Sequence, residues 1–356
     1  MGKWRDFSER TSTLQAYLTS PIRLRPGVAL RMTGDPDQLT VECRSVVEES
    51  VLRHMGDSVS LSGGLDTAII AHIAARHSNP KCYTVALALA PAPDIKYARS
   101  VARRLGLDWE LVELRLEDLP DRLTDVVRVL KTFDPMEVRN SVAVYHGLLA
   151  AKADGFSKVM TGDAADELFA GYSFSFNTEP AKLMKKLRSL WRVMRFSSEP
   201  MASSLGIEAS LPYLDRRVVR FAKGLSADSL VGERKGKRFG KLILRVAYED
   251  MIGRRIAWRV KTPIEYGSGT TSLSVYYSAK IDDDTFDAGR ASALGEGVKI
   301  RDKEHFAYYR LYRELFPPPG ATAKMRFRCP CCGGDAMPGS TFCVTCGAYP
   351  IRAVNG

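Results

Sequence analysis

The sequence predicts an α/β fold: a parallel sheet with helices on both faces, then a helical C-terminal part and a small cysteine-rich tail. Three observations predict it. Short buried-type strands alternate with helical stretches at the spacing of βαβ units. Two of those strands run into polar, Gly-containing segments, Ser62-Gly63-Gly64-Leu65-Asp66-Thr67 and Thr161-Gly162-Asp163. Five of the seven cysteines fall between Cys329 and Cys346, in a chain of 356 residues that is long enough for one large domain or two moderate ones.

Residues 1–37 are polar, with several Arg, Pro and Gly, and read as an N-terminal arm. Residues 38–55 carry Leu39, Val41, Val46, Val47, Val51 and Leu52 at helical spacing, with Asp35 or Asp37 as the cap. Ser58-Val59-Ser60-Leu61 is a first strand, followed by an apolar helix over 68–76. Residues 82–87 form a second strand, 95–105 a helix and 109–114 a third strand. Two helical stretches, about 120–131 and 140–153, precede Lys158-Val159-Met160-Thr161, the fourth. In such folds ligands sit beyond the carboxyl ends of the strands, where the two polar loops lie.

Residues 181–260 read as mostly helical and basic. Between Ala181 and Arg195 there are six basic residues and no acid, while Leu183, Leu187, Leu190, Trp191 and Met194 share one face. That pattern predicts a helix packed by its apolar face with a solvated basic back; an RNA-facing helix is the alternative. Residues 267–298, rich in Gly, Ser and Asp, predict a loop region, and 304–315 an aromatic helix. Pro317-Pro318-Pro319-Gly320 predicts a linker. The expected organisation is an arm at 1–37, a body at 38–320 and a tail domain at 325–352.

The net charge of +11 fits either a soluble basic surface or an anionic partner such as a nucleotide or RNA. No apolar run approaches the ~18–20 residues that span a bilayer, and Met1-Gly2-Lys3-Trp4 opens no signal-peptide core. A cytoplasmic protein without membrane contact is expected.

The first polar loop has the parts of an anion site. Gly63 and Gly64 permit a sharp turn that brings N–H groups to a phosphate, and the next helix points its N-terminus there. Ser62 and Thr67 offer hydroxyls. Asp66 would repel phosphate unless it holds a cation, so it implies Mg²⁺. The lysine and spacing of a Walker loop are absent. In the tail, Cys329-Pro330-Cys331-Cys332-Gly333 and Cys343-Val344-Thr345-Cys346-Gly347 form two Cys-Xaa-Xaa-Cys knuckles. Cys329, Cys332, Cys343 and Cys346 predict a tetrahedral Zn²⁺ site of the zinc-ribbon type, with Cys331 spare.

The loop resembles the pyrophosphate-binding loop of the adenine nucleotide alpha hydrolase-like family, with Thr67 where that family usually has Ser. The segment Thr161-Gly162-Asp163-Ala164-Ala165-Asp166-Glu167-Leu168-Phe169-Ala170-Gly171-Tyr172 resembles the signature of the asparagine synthetase-like family, which includes the beta-lactam synthetases. Ala209-Ser210-Leu211-Pro212-Tyr213-Leu214-Asp215, Gly240-Lys241-Leu242-Ile243-Leu244-Arg245 and Lys303-Glu304-His305 onward match further family segments in order. The resemblance covers about residues 38–317. It implies a five-stranded parallel sheet and an ATP-dependent ligase that adenylates a carboxylate, releases pyrophosphate and forms a C–N bond with ammonia or an amine. It implies nucleotide contacts from Leu61, Ser62, Gly63, Gly64, Asp66, Thr67, Val85 and Gly162, and Mg²⁺ ligation by Asp66 and Asp166. Lys241 and Lys261 become candidates for stabilising the departing pyrophosphate or the tetrahedral oxyanion, and Arg139 a residue facing the site.

Asp163 departs from the family's usual Glu by one methylene, which puts plain asparagine synthesis in question. Residue 2 is Gly2 where glutamine-dependent members have the nucleophilic Cys, and about 37 residues are too few for a glutaminase domain. Nitrogen is therefore expected from free ammonia, a separate glutaminase subunit or a substrate amine. Two alternatives stay open: the same ATP chemistry on a macromolecule such as tRNA or a carrier protein, and a non-catalytic nucleotide-binding scaffold. The zinc ribbon could serve as a structural knob, a homodimer contact or a macromolecule binder.

Overall fold

The computed structural model describes residues 35–352, 354 and 355. Nearly all of the expected N-terminal arm lies outside them. Five parallel strands form the central sheet: β1 (Ser58–Ser60), β2 (Lys81–Leu87), β3 (Trp109–Leu114), β4 (Lys158–Met160) and β5 (Glu208–Ser210), in the order β3-β2-β1-β4-β5. β1 pairs with β2 on one side and β4 on the other, with Val59 opposite Cys82 and Met160. The chain builds outward from β1 to β3, then returns to lay β4 and β5 on the opposite flank. The order therefore reverses between β1 and β4, where crevices open in such sheets.

Side chains alternate across the sheet and feed two cores. Cys82 and Met160 join the cluster under helices Pro36–Arg53, Leu65–Ala75, Arg216–Gly224 and Leu242–Ile252. Their neighbours Tyr83 and Val159 join the cluster under helices Leu119–Leu130, Pro135–Ala153 and Lys303–Leu315. Among the described residues no helix is long and apolar enough to cross a membrane.

Local signals explain most boundaries. Asp35 accepts from the Asp37 N–H and caps the first described helix, with Pro36 at its first position. The helix expected over 140–153 starts at Pro135, because Asp134 caps it through the Met136 N–H at 3.2 Å. β5 and the antiparallel hairpin β6 (Gly232–Arg234) and β7 (Lys237–Phe239) interrupt the region read as mostly helical. The loop expected over 267–298 is instead largely two helices, Ser272–Lys280 and Asp283–Gly295. Asp282 caps the second through the Thr285 N–H, and the bare Gly289 backbone admits the Phe306 ring, which a Cβ would meet at 2.0 Å.

The tail is docked rather than tethered. Pro319–Thr322 forms a helical turn with Pro319 buried, and β8 (Phe327–Arg328) pairs with β9 (Val354–Asn355). The second cysteine knuckle lies on the residues that start helix Pro135–Ala153. The Phe133 N–H donates to the Thr345 carbonyl at 2.9 Å and the Thr132 hydroxyl to the Val344 carbonyl at 2.8 Å. On the other knuckle, the Lys299 N–H donates to the Cys331 carbonyl at 2.7 Å. All four paired cysteines belong to the second core, beside Phe133, Tyr309 and Tyr312.

Candidate active site

The first polar loop turns at Gly63, whose φ of +66° is left-handed and whose missing side chain matters: a Cβ would lie 2.2 Å from the Ala98 nitrogen. Gly64 starts helix Leu65–Ala75 with no side-chain cap on its first-turn amides. The Ser62 hydroxyl accepts from the Gly64 N–H at 3.2 Å and lies 3.2 Å from the Thr67 hydroxyl, so both hydroxyls sit in the loop. Leu61 has a core role. Its side chain is fully buried, its N–H donates to Tyr83 and its carbonyl accepts from the Thr84 hydroxyl. Val85, half-buried on β2, faces helix Pro135–Ala153 at Gly147.

The second loop follows β4 across the point of reversal. A Cβ on Gly162 would lie 3.1 Å from Asp66 Cβ and 3.0 Å from Thr67 Cγ2, so the two loops touch. Asp66 and Asp166 consequently meet, with a lysine between them. Lys241 Nζ lies 2.5 Å from Asp66 Oδ2 and 2.8 Å from Asp166 Oδ1, while Lys261 Nζ lies 2.9 Å from Asp166 Oδ2. Two carboxylates and two ammonium groups thus form one cluster, in which Lys261 is the most solvent-exposed member. Burial alone would push the Asp166 carboxyl up, but Lys241 and Lys261 together hold it well below the usual carboxylate range. Burial would lower the Lys261 pKa, yet Asp166 and Asp66 leave it raised. The Oδ1 atoms of both aspartates are buried without a hydrogen-bond partner; for Asp166 the approach of Lys241 is a charge contact without hydrogen-bond alignment. Two such oxygens suit a hard cation.

The backbone is contorted to build this cluster. Ala164, Ala170 and Lys241 are non-glycine residues with left-handed φ of 73°, 55° and 55°, each costing about 1 kcal/mol or more. Gly240 lies against the Ala170 carbonyl, which a Cβ would meet at 1.8 Å, and the Lys241 N–H donates to the Phe169 carbonyl at 2.8 Å. A Cβ on Gly171 would lie 1.9 Å from Asp166 Oδ1 and 2.3 Å from Lys241 Cε. Tyr213, from the segment after β5, donates to the Asp66 carbonyl at 3.2 Å.

Two arginines escaped the sequence reading. Arg259 donates to the Ser62 carbonyl at 3.1 Å, pairs with the buried Asp94 and covers the Tyr97 ring at 4.0 Å. It ties the segment carrying Lys261 to the first loop. Arg245 donates to the carbonyls of Gly240, Ala257 and Arg259, joining the Lys241 turn to the same segment, and burial pulls its pKa down to about 10. Arg245 stands in a quoted motif and Arg259 two residues before Lys261, but a sequence does not show which basic side chain turns inward.

Asp163 is beside the cluster rather than in it. Its carboxylate accepts from the Thr161 hydroxyl at 3.0 Å and from the Ser198 hydroxyl, and burial raises its pKa. Arg139 pairs with Glu304 at 3.1 Å, and its carbonyl accepts from the Thr270 hydroxyl at 3.0 Å. No ion pair joins it to Asp66 or Asp166 among the described residues.

In the tail, the ligand atoms of Cys329, Cys332, Cys343 and Cys346 all lie within 4.8 Å of one another, and all four residues are buried. Gly333 and Gly347 follow the knuckles with left-handed φ of 70°. Bare backbone at Gly347 also lets the knuckle approach Asp134, which a Cβ would meet at 2.1 Å. Four thiols in this array fit a tetrahedral metal, and Cys331 stays outside it.

The model of the asparagine synthase family matches residues 42–203 and 183–317. The chain belongs to that family. Among its relatives, asparagine synthetase B [glutamine-hydrolyzing] of Escherichia coli (strain K12) is 28% identical over 306 residues, covering 79% of this chain and 54% of that protein. A probable asparagine synthetase [glutamine-hydrolyzing] of Dictyostelium discoideum is 27% identical, covering 79% and 56%. The Brassica oleracea asparagine synthetase [glutamine-hydrolyzing] is 25% identical, covering 78% and 51%. The chain thus spans about half the length of these relatives. An NMN synthetase structure from Francisella tularensis overlays at a TM-score of 0.37 with 12% identity, over 79% of this chain and 94% of that one.

Within this family member, the Arg139 pair predicts a pH effect. Burial pushes Glu304 up to about 7 from an ordinary 4.5, with Arg139 pulling the other way. Between those values the folded chain holds a proton that the unfolded chain releases. Stability from this group therefore falls as pH rises through that window, by about 3 kcal/mol in all. Urea unfolding of the parent and Glu304→Gln at pH 5 and pH 7.5 (about the two ends of the window) should show a steeper loss in the parent; equal losses would contradict the assignment.

Proposed function

We propose that the chain is an ATP-dependent ligase that adenylates a carboxylate, releases pyrophosphate and joins the acyl group to ammonia or an amine. The observation that carries this reading is the meeting of Asp66 and Asp166 across the sheet reversal, with Asp66 Oδ1 buried and without a hydrogen-bond partner. Membership in the asparagine synthase family supports it.

In this reading the amides at the start of helix Leu65–Ala75 and the hydroxyls of Ser62 and Thr67 take the pyrophosphate oxygens. Asp66 and Asp166 would hold Mg²⁺, which when bound screens the triphosphate charge. Lys241 and Lys261 add positive charge beside the breaking bond. A substrate carboxylate oxygen attacks the α-phosphorus and the bond to pyrophosphate breaks. The amine then attacks the acyl carbon, AMP leaves, and the nitrogen gives up a proton. Asp163, held by Thr161 and Ser198, is the proposed acceptor of that proton. The four tail thiolates would hold Zn²⁺, which fixes the knuckles that carry the start of helix Pro135–Ala153. Ammonia, a separate glutaminase subunit or a substrate amine supplies the nitrogen; a homodimer is compatible with all three.

A pyrophosphate-release screen over small carboxylates, with ammonia and amino acids as acceptors, tests the reading. Asp66→Asn should lower release at least 100-fold while circular dichroism stays native. In Gly171→Ala the new methyl would run into Asp166 Oδ1 and Cγ and Lys241 Cε. It should cut release at least tenfold while circular dichroism stays native. Undiminished release in both variants, or no release with any carboxylate, would contradict the proposal.

A further inference from the structure

The cluster described above uses none of the positive charge that helices Pro180–Leu190 and Arg216–Gly224 carry. Lys182, Lys185, Lys186, Arg188, Arg192 and Arg195 on the first stretch are all exposed, as are Arg216, Arg217, Arg220 and Lys223 on the second. Of these ten, only Arg217 forms an ion pair with a carboxylate among the described residues, with Glu49. A solvated helix back normally interleaves acids with its bases; neither stretch contains one. Lys223 Nζ sits over the Trp191 ring at 5.6 Å from its centroid, so the two stretches meet at that indole. Arg216, Arg220 and Lys223, at helical spacing, line one open hollow with Leu214, Val219 and Gly224. Nearby acids are engaged or few. Asp215 caps its helix and pairs with Arg53, Glu179 caps the other helix, and Asp228 is exposed.

A second feature adjoins this surface. Phe174 is 71% exposed and lies against Tyr172, centroids 5.5 Å apart and planes 12° from parallel. A large aromatic side chain held flat in solvent is a stacking platform, which acidic proteins and phosphate alone do not require. Lys186 reaches back to the Thr178 hydroxyl at 3.4 Å, bringing the basic helix to the segment that carries the platform. The platform also stands near the cluster, since the Tyr172 hydroxyl donates to Glu167 at 2.6 Å and the Trp191 indole N–H donates to the Glu167 carbonyl at 2.9 Å.

We propose that the surface formed by helices Pro180–Leu190 and Arg216–Gly224, with Phe174 as its aromatic platform, binds RNA. The phosphodiester backbone lies along the unpaired cations and an unstacked base lies on Phe174. The binding is independent of the ligase chemistry, because none of its residues belongs to the carboxylate–lysine cluster.

Fluorescence anisotropy of the full chain with a labelled 20-nucleotide single-stranded RNA and with a tRNA transcript tests this. Binding is expected at low micromolar strength or better in 100 mM salt. It should weaken linearly on a log–log plot as salt rises, by about 0.7 per phosphate neutralised on the single strand. The triple variant Arg216→Glu/Arg220→Glu/Lys223→Glu should lose at least thirtyfold and show a shallower salt slope, with an unchanged melting temperature. Phe174→Ala should lose about tenfold on single-stranded RNA and keep the parent's salt slope, which separates stacking from charge. No binding of either RNA at 100 mM salt, parent-like binding by the triple variant, or preferential binding of polyglutamate or of anionic lipid vesicles would each overturn the proposal.

Discussion

Two carboxylates and two ammonium groups share one crevice, and the rest of the molecule is arranged around keeping them there. Asp66 and Asp166 follow β1 and β4, neighbouring strands separated by about a hundred residues of chain. The reversal of strand order puts both loops at the same edge. Bringing like charges this close is unfavourable, and taking ionised groups out of water costs more. Lys241, touching both aspartates, and Lys261, touching one, offset the repulsion within the cluster itself. Removing any one of the four leaves an uncompensated charge, so the group stands or falls as a unit.

That arrangement explains why strain is concentrated nearby. Three left-handed non-glycine residues, Ala164, Ala170 and Lys241, lie in the segments that aim the charged groups. Gly171 and Gly240 are bare where those segments cross. The turns are held by arginines that act on backbone carbonyls. Arg245 gathers three, and Arg259 bridges the Lys261 segment to Ser62. Fixing the lysines through the main chain leaves their ammonium ends free to face the carboxylates. The cysteine knuckle supports the start of the helix that carries Arg139. The ribbon is therefore continuous with the core that positions the Arg139–Glu304 pair.

Much of the strand–loop–helix framework was legible because each part has a local signal. Strands β1 to β4 are β-prone apolar runs, the first loop carries its glycines in sequence, and the cysteine spacing states its own chemistry. β5 was hidden: three residues, Glu208–Ser210, have no periodicity to show, and only pairing with β4 makes them a strand. The Asp282-Asp283-Asp284 run suggested a loop, whereas one of its acids is a cap and the others open the helix. Site residues divided the same way. Asp66 stood out because an acid in a phosphate-type loop needs a reason, and Asp166 and Lys241 stood out through the resemblance. The place of Lys241 between the aspartates was not legible, because Phe169 and Gly171, which its turn meets, are distant in sequence. Arg259 looked interchangeable with its basic neighbours until its inward turn toward Asp94 was visible.

Whether Asp66 and Asp166 hold one divalent ion over a nucleotide's polyphosphate is read most plainly from a crystal structure with a non-hydrolysable ATP analogue and Mn²⁺, with anomalous scattering locating the metal. One Mn²⁺ peak is expected at coordination distance from a carboxylate oxygen of each aspartate. A nucleotide bound at the first loop with both carboxylates still locked to Lys241 and no metal between them would contradict it.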